Sequence, residues 1–207
     1  WQNDRMFKEL KPYMEEFHKT GSKLFIQLAA GFGRSMAING WMSYLAKHDF
    51  LNKLASPIVD VQYSCASASA TPNRWNEELK SRPMTRAEIK EMVEAFAKKL
   101  RDAGVDGVEI HAVHEGYLLD QFTMKNWNFR TDEYGGSFEN RFRFPVEIVK
   151  CIHEYAGDDF PVSLRYSVVS KTKGWGKGAM PYEEDFEEFG RDMEESEKAV
   201  KYLEEAG

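Results

Sequence analysis

The sequence predicts an α/β fold built on a parallel sheet, and three observations carry that prediction. Short, nearly continuous apolar runs at 23–28, 105–111 and 160–167 read as strands buried on both faces. The segments between and around them place apolar residues at helical spacing. The resulting order is helix, strand, helix, strand, helix, strand, helix, which implies parallel pairing through crossovers. The pattern leaves open whether the sheet is an open, doubly wound one or part of a barrel.

Residues 4–20 are rich in charge, with Met6, Leu10, Met14 and Phe17 at helical spacing and Gly21 as a stop. The first strand follows. Residues 29–84 form a long irregular stretch punctuated by Gly31, Gly33, Gly40, Pro57, Pro72 and Pro83. A stretch of that length is functional or holds short elements of its own. Thr85 and Glu88 make a capping box, in which two side chains satisfy free N–H groups at a helix start. Ile89, Met92, Val93, Phe96, Ala97 and Leu100 then share one face, and Gly104 ends the helix. After the second strand and a polar loop, Ile148, Val149 and Ile152 mark a helix running to about Ala156, with Pro145 at a kink or in its first turn. The third strand is followed by a last helix with Phe186, Phe189, Met193, Val200 and Leu203 on one stripe, stopped by Gly207.

Composition excludes several classes. At 207 residues the chain can bury a real core, yet it is shorter than the roughly 250 residues of a complete (β/α)₈ barrel. Hydrophobic residues at 42% and charged residues at 30% argue against disorder. A net charge of −6 with both signs interspersed argues against a nucleic-acid partner. No apolar run approaches the roughly 20 residues that span a bilayer. No signal peptide is visible, although the chain starts at Trp1, and Cys65 and Cys151 form neither a CxxC pair nor a metal pattern. A cytoplasmic protein with two thiols is expected. A homo-oligomer is left open.

Polar residues stand where strands end: Gln27 near the end of the first, His111 at the end of the second and Arg165 near the end of the third. Ligands bind at the carboxyl ends of strands in parallel α/β folds, so the three could line one pocket. Equally, each could close a structural hydrogen bond. Gly31 and Gly33 lack the spacing of a dinucleotide fingerprint. His111-x-x-His114-Glu115 is not the HExxH zinc motif and falls in a loop after a strand, so no metal is expected there. The acid run at 183–188 reads as a solvated helix start favoured by the helix dipole.

A longer run carries more information. Val108-Glu109-Ile110-His111 leads into Gly116-Tyr117-Leu118 and Gln121-Phe122. Then come Arg130-Thr131-Asp132-Glu133-Tyr134-Gly135-Gly136-Ser137 and Asn140-Arg141-Phe142-Arg143-Phe144. Gln27-Leu28 with Gly33-Arg34, Pro72-Asn73-Arg74-Trp75 and Leu164-Arg165-Tyr166-Ser167 add to it. Together these resemble the old yellow enzyme family of FMN-dependent oxidoreductases over most of the chain. The likeness is strongest to clostridial 2-enoate reductases and bile-acid-inducible NADH:flavin oxidoreductases, and extends in overall plan to 2,4-dienoyl-CoA reductase.

The resemblance implies that residues 1–207 are the central part of an FMN-binding (β/α)₈ TIM barrel, with about three strands, the third to fifth of eight. The phosphate-binding loops would follow strands outside this chain, so the chain alone is not expected to hold FMN tightly. It further implies an NADH-dependent reduction, or its reverse, of an activated C=C bond in an enoate, an enoyl thioester or a 3-oxo-Δ4 steroid. Gln27 matches the glutamine on the flavin pyrimidine ring. Arg165 matches the arginine at the N1/O2 edge, where a cation favours the negatively charged reduced flavin. Tyr117 matches the tyrosine that protonates the substrate; a phenol, with an ordinary pKa of about 10, is protonated at neutral pH. The relatives also carry FAD and a 4Fe-4S cluster, which would lie outside this segment because two cysteines cannot ligate such a cluster.

The sequence departs from the family pattern in two places. From His111 through Gly116 there are six positions where the common form has five, so either His111 or His114 could polarise the substrate carbonyl. The reading favoured here puts His111 near the flavin and His114 near the substrate. In Gln27-Leu28-Ala29-Ala30-Gly31-Phe32-Gly33-Arg34 there is again one residue more, and a small residue replaces a family histidine. The rival readings are a flavin-free TIM-barrel hydrolase or lyase using His111, Glu115 and Tyr117, and an inactive barrel fragment or binding module.

Overall fold

The computed structural model describes residues 5–113, 116–169, 172–173, 177–178 and 191–207. Its centre is a three-stranded parallel sheet of β1 (Phe25–Ala29), β2 (Gly107–Val113) and β3 (Val162–Tyr166), in the order β1-β2-β3. Ala29 pairs with His111, and His111 with Arg165. The helices α1 (Arg5–His18), α5 (Arg86–Ala103) and α7 (Phe138–Ala156) cover one face. There Ile26, Leu28, Val108, Ile110, Val162 and Leu164 meet Met14, Ile89, Phe96, Leu100 and Ile148.

The other face carries Phe25, Gln27, Ala29, Ser163 and Arg165, all exposed. Sequential strand order with one covered face is the geometry of a barrel segment. A doubly wound sheet reverses its order and is covered on both sides. The strands are therefore not buried on both faces within the described residues, and the open face is the one that would line the barrel interior.

The capping box forms as the sequence predicts. The Glu88 N–H donates to Thr85 Oγ1 at 3.2 Å and the Thr85 N–H to Glu88 Oε2 at 2.8 Å. Five apolar side chains of α5, Ile89, Met92, Phe96, Ala97 and Leu100, lose essentially all solvent contact. At about 1.5–3 kcal/mol for each of the larger ones, this face dominates the docking of the helix.

The stretch 29–84 holds short elements, as its length implied, whereas the position of Pro145 and the buried stripe of the last helix differ from expectation. The stretch 29–84 contains a 3₁₀ turn at Gly33–Ser35 and the short helices α2 (Gly40–Lys47), α3 (Asp49–Ala55) and α4 (Val61–Ser64). Helix α7 begins at Phe138, capped by the Ser137 hydroxyl on the Asn140 N–H, so Pro145 lies inside it and not in its first turn. The polar start of α7 looked like loop because Arg141 is buried through distant partners, the Thr123 carbonyl at 2.7 Å and Glu195 at 2.8 Å.

The last helix, α8 (Met193–Glu204), turns Ser196, Ala199 and Leu203 inward and leaves Met193 and Val200 about half exposed. Its buried stripe is thus rotated from the one expected, because small residues let it approach Phe142 and Val146 of α7 closely. Phe186, Phe189 and the acid run lie outside the described residues. A short helix after β2, α6 (Leu118–Thr123), and a two-stranded antiparallel pair, β4 (Thr172–Lys173) with β5 (Lys177–Gly178), complete the elements.

Candidate active site at the carboxyl ends of the strands

The period-two alternation of strands places Gln27, Glu109, His111, Ser163 and Arg165 on the open face. Register then orders them in two rows. Gln27 pairs with Glu109 and Glu109 with Ser163; one layer nearer the carboxyl ends, His111 pairs with Arg165. Gln27 Nε2 donates to a carboxylate oxygen of Glu109, which leaves its own Oε1 available on the open face. Arg165 is exposed, with no ion pair or hydrogen bond among the described residues. An amide, an imidazole and a guanidinium thus share one surface, and this donor and acceptor set suits the pyrimidine edge of a flavin ring.

The pairing slips just past His111: Val113, not Ala112, is the partner of Tyr166. One residue of β2 is therefore unmatched, a bulge that gives room for the additional position counted between His111 and Gly116. His114 and Glu115 lie outside the described residues.

Tyr117 sits at the N-cap of α6, and its ring lies 5.5 Å from that of His111 and 4.9 Å, edge to face, from Phe32. The structure thus brings His111, Arg165 and Tyr117 to one end of the sheet, with Gln27 one layer below.

Sequence reasoning did not find what holds Tyr117. Gly116 has a φ of +71°, and a Cβ there would strike the Trp127 ring at 2.7 Å. Its N–H donates to Asp120 Oδ2 at 2.8 Å, and its carbonyl accepts from Ser35 Oγ at 2.7 Å. Gln121 ties the loop after β1 to the loop after β2. Its Nε2 donates to the carbonyls of Phe32 and Gly116, and its Oε1 accepts from the Arg34 N–H at 3.1 Å. Arg34 is fully buried over Trp127 and donates to the Pro72 carbonyl. Burial, helped by Arg74, lowers its pKa to about 10.

Much of the long motif proves structural. Arg130 clamps Asp132 with two donors and reaches the carbonyls of Ala68 and Met84. Its cation, with the Tyr134 N–H, holds the Asp132 carboxyl below its ordinary value. The Tyr134 hydroxyl donates to Glu147 at 2.8 Å, and burial with that carboxylate pushes the phenol upward. Gly135 is required because a Cβ would meet the Arg130 carbonyl oxygen at 2.3 Å. Burial raises the Cys65 thiol to about 11, so it is no nucleophile at neutral pH. Among the described residues no cluster of His, Cys, Asp and Glu could hold a metal ion, and no helix is long and apolar enough to cross a membrane.

Comparison with known proteins agrees with this geometry. The profile of the NADH:flavin oxidoreductase / NADH oxidase family matches residues 1–204. Cinnamate reductase of Clostridium sporogenes is 46% identical over 196 residues, covering 93% of this chain and 26% of the relative. NADH oxidase of Thermoanaerobacter brockii is 32% identical over 197 residues, 93% of this chain and 24% of its own. The structure of Old Yellow Enzyme from Pichia sp. AKU4542 superposes with a TM-score of 0.62 at 26% identity, covering 97% of this chain and 47% of that one. The chain spans about a quarter of the length of the two curated relatives.

Proposed function

Because this chain belongs to the NADH:flavin oxidoreductase / NADH oxidase family, the old yellow enzyme family, we propose that the protein is an FMN-dependent ene-reductase drawing on NADH. Residues 1–207 are its partial FMN-binding barrel domain. The observation that supports this best is the placement of Tyr117 against His111, with Arg165 beside it in register.

FMN, when bound, supplies the hydride that it has taken from NADH. Gln27 would offer its amide to the pyrimidine edge of the bound ring, and the Arg165 cation would stand at its N1/O2 edge, where positive charge would favour the negatively charged reduced state. His111 would lie beside the flavin, and His114 would polarise the substrate carbonyl. As hydride reaches the β-carbon, negative charge builds on the α-carbon. The Tyr117 hydroxyl gives that carbon a proton, the C=C bond becomes a single bond, and the phenolate recovers its proton from water. Tyr117 is only partly buried, so water can reach it.

The substrate is an alkene conjugated to a carboxyl, thioester or ketone group: a 2-enoate, an enoyl thioester or a 3-oxo-Δ4 steroid. The relative named cinnamate reductase supports the 2-enoate arm. FAD and a 4Fe-4S cluster belong to segments beyond this chain, in keeping with its share of the relatives' length. The test is NADH oxidation by the full-length protein with cinnamate, a crotonyl thioester and a 3-oxo-Δ4 steroid, read together with its visible spectrum. A flavin band and turnover of one of them are expected. A colourless protein that turns over none would overturn the proposal.

A further inference from the structure

The least expected feature of the described residues is a buried ion pair that the reaction above does not use. Arg191 and Asp120 are both sealed from solvent, and Arg191 Nη2 lies 2.6 Å from Asp120 Oδ1. The same Nη2 donates to Thr123 Oγ1 at 2.8 Å, Nη1 donates to the Ser167 carbonyl at 2.8 Å, and the guanidinium stacks 4.6 Å over the Tyr166 ring. The second oxygen of Asp120 accepts from the Gly116 N–H.

The partners of this pair stand next to the candidate site on both sides. Ser167 and Tyr166 directly follow Arg165, and Gly116 directly precedes Tyr117. One arginine therefore joins the end of β3, behind the flavin-facing cation, to the turn that carries the proton donor.

We propose that the Arg191–Asp120 pair is a positioning device that fixes Tyr117 relative to Arg165, and that Arg191 and Asp120 are positioning residues for the protonation step. The proposal rests on the reading of Tyr117 as the proton donor. Stability alone is a poor reason for such a pair: replacing both members of a buried pair by neutral groups is often harmless, whereas removing one leaves a buried charge without compensation. Here the uncompensated charge would be Asp120, on the first turn of α6. Its retreat toward water would drag the Gly116–Tyr117 turn, and a displacement of about 1 Å at a reacting group costs up to about a hundredfold in rate.

The full-length holoenzyme tests this through its two half-reactions, flavin reduction by NADH and alkene reduction by the reduced enzyme, followed by stopped flow. Arg191→Met is expected to slow alkene reduction by about tenfold to a hundredfold while flavin reduction stays within about twofold. Adding Asp120→Asn removes the stranded charge and keeps an oxygen for the Gly116 N–H, so the double variant recovers most of the lost rate. With 3-fluorotyrosine incorporated, the Tyr117 ¹⁹F resonance, assigned from its loss in Tyr117→Phe, shifts or broadens in Arg191→Met and returns in the double variant.

Should Arg191→Met fail to fold, Arg191→Lys keeps the charge but cannot span Asp120 and Ser167 together, and the same selective slowing is expected. Equal slowing of both half-reactions, or of neither, while Tyr117→Phe slows only alkene reduction, would sink the positioning role and spare the donor assignment. If Tyr117→Phe itself leaves alkene reduction unchanged, the donor assignment falls and this proposal with it.

Discussion

Replacing Gly33 by alanine should loosen the site without touching any candidate reacting group. Gly33 has a φ of +53°, a left-handed conformation that costs an L-residue about 1–2 kcal/mol. A Cβ there would lie 2.2 Å from Gln121 Oε1 and 2.9 Å from its Cδ, so the Gln121 amide has to leave. It takes with it hydrogen bonds to the Arg34 N–H and to the Phe32 and Gly116 carbonyls, at about 0.5–1.5 kcal/mol apiece. The sum is about 2.5–6.5 kcal/mol against the closed loops. Since about 1.4 kcal/mol is tenfold in an equilibrium, local opening rises by roughly sixtyfold or more. Hydrogen exchange with mass spectrometry on the full-length protein reads this directly in peptides covering 31–36 and 116–123. Gly40→Ala is the control: its φ is +39°, but nothing lies within 4 Å of a Cβ there, so those peptides should exchange as in the parent. If Gly33→Ala leaves exchange in both peptides unchanged, Gln121 is not the clasp described here.

Two other consequences follow from the charges. Asp106 accepts from His18, Lys23 and the Leu24 N–H, binding α1 and the starts of β1 and β2 together, and these partners depress its carboxyl well below the ordinary range despite the opposing effect of desolvation. A depressed carboxyl adds stability that is present above its unfolded pKa of about 3.9 and is lost as the pH falls toward the folded one. Asp106→Asn should therefore lower Tm at pH 7 and flatten the acid limb of the Tm against pH curve; a parallel, unflattened limb would show that the group contributes nothing. At the other end of the sheet, the role proposed for Arg165 predicts that Arg165→Ala weakens FMN binding and lowers the flavin reduction potential, through loss of the cation assigned to the reduced ring. A spectroelectrochemical titration with an unchanged potential would remove Arg165 from the flavin site.

The parts of the fold legible in the sequence were those set by near neighbours. The α5 cap needs only Thr85 and Glu88, three residues apart, and the β1, β2 and β3 runs announce themselves by composition. The ends of the apolar runs placed Gln27, His111 and Arg165 near strand ends, and their sharing of one face came with the strand register. Illegible were features made by distant partners. Arg141 and Arg191 look like surface charges until Glu195 and Asp120 are brought to them through the fold. Helix α6 has six residues, all buried, so it has no polar face and no periodicity to detect. Gln121 was visible as part of a motif, but nothing local showed that it joins two loops across the site. The stripe of α8 went astray because Met193 and Val200 are larger and more apolar than Ser196 and Ala199, while Ala199 packs on α7 and the Ser196 hydroxyl bonds the Val168 carbonyl, which a local pattern does not show.

The role proposed for Tyr117 is to protonate carbon in the second of two half-reactions sharing one flavin. Tyr117→Phe removes the hydroxyl and keeps the ring against His111 and Phe32, so packing changes little. A positioned acid accelerates such a step by about 10²–10⁴-fold. Stopped-flow measurement of both steps in the full-length enzyme should find flavin reduction by NADH nearly normal and alkene reduction slowed by at least about tenfold. Equal slowing of both steps would make Tyr117 structural, and no slowing of either would pass the proton to another group such as His114.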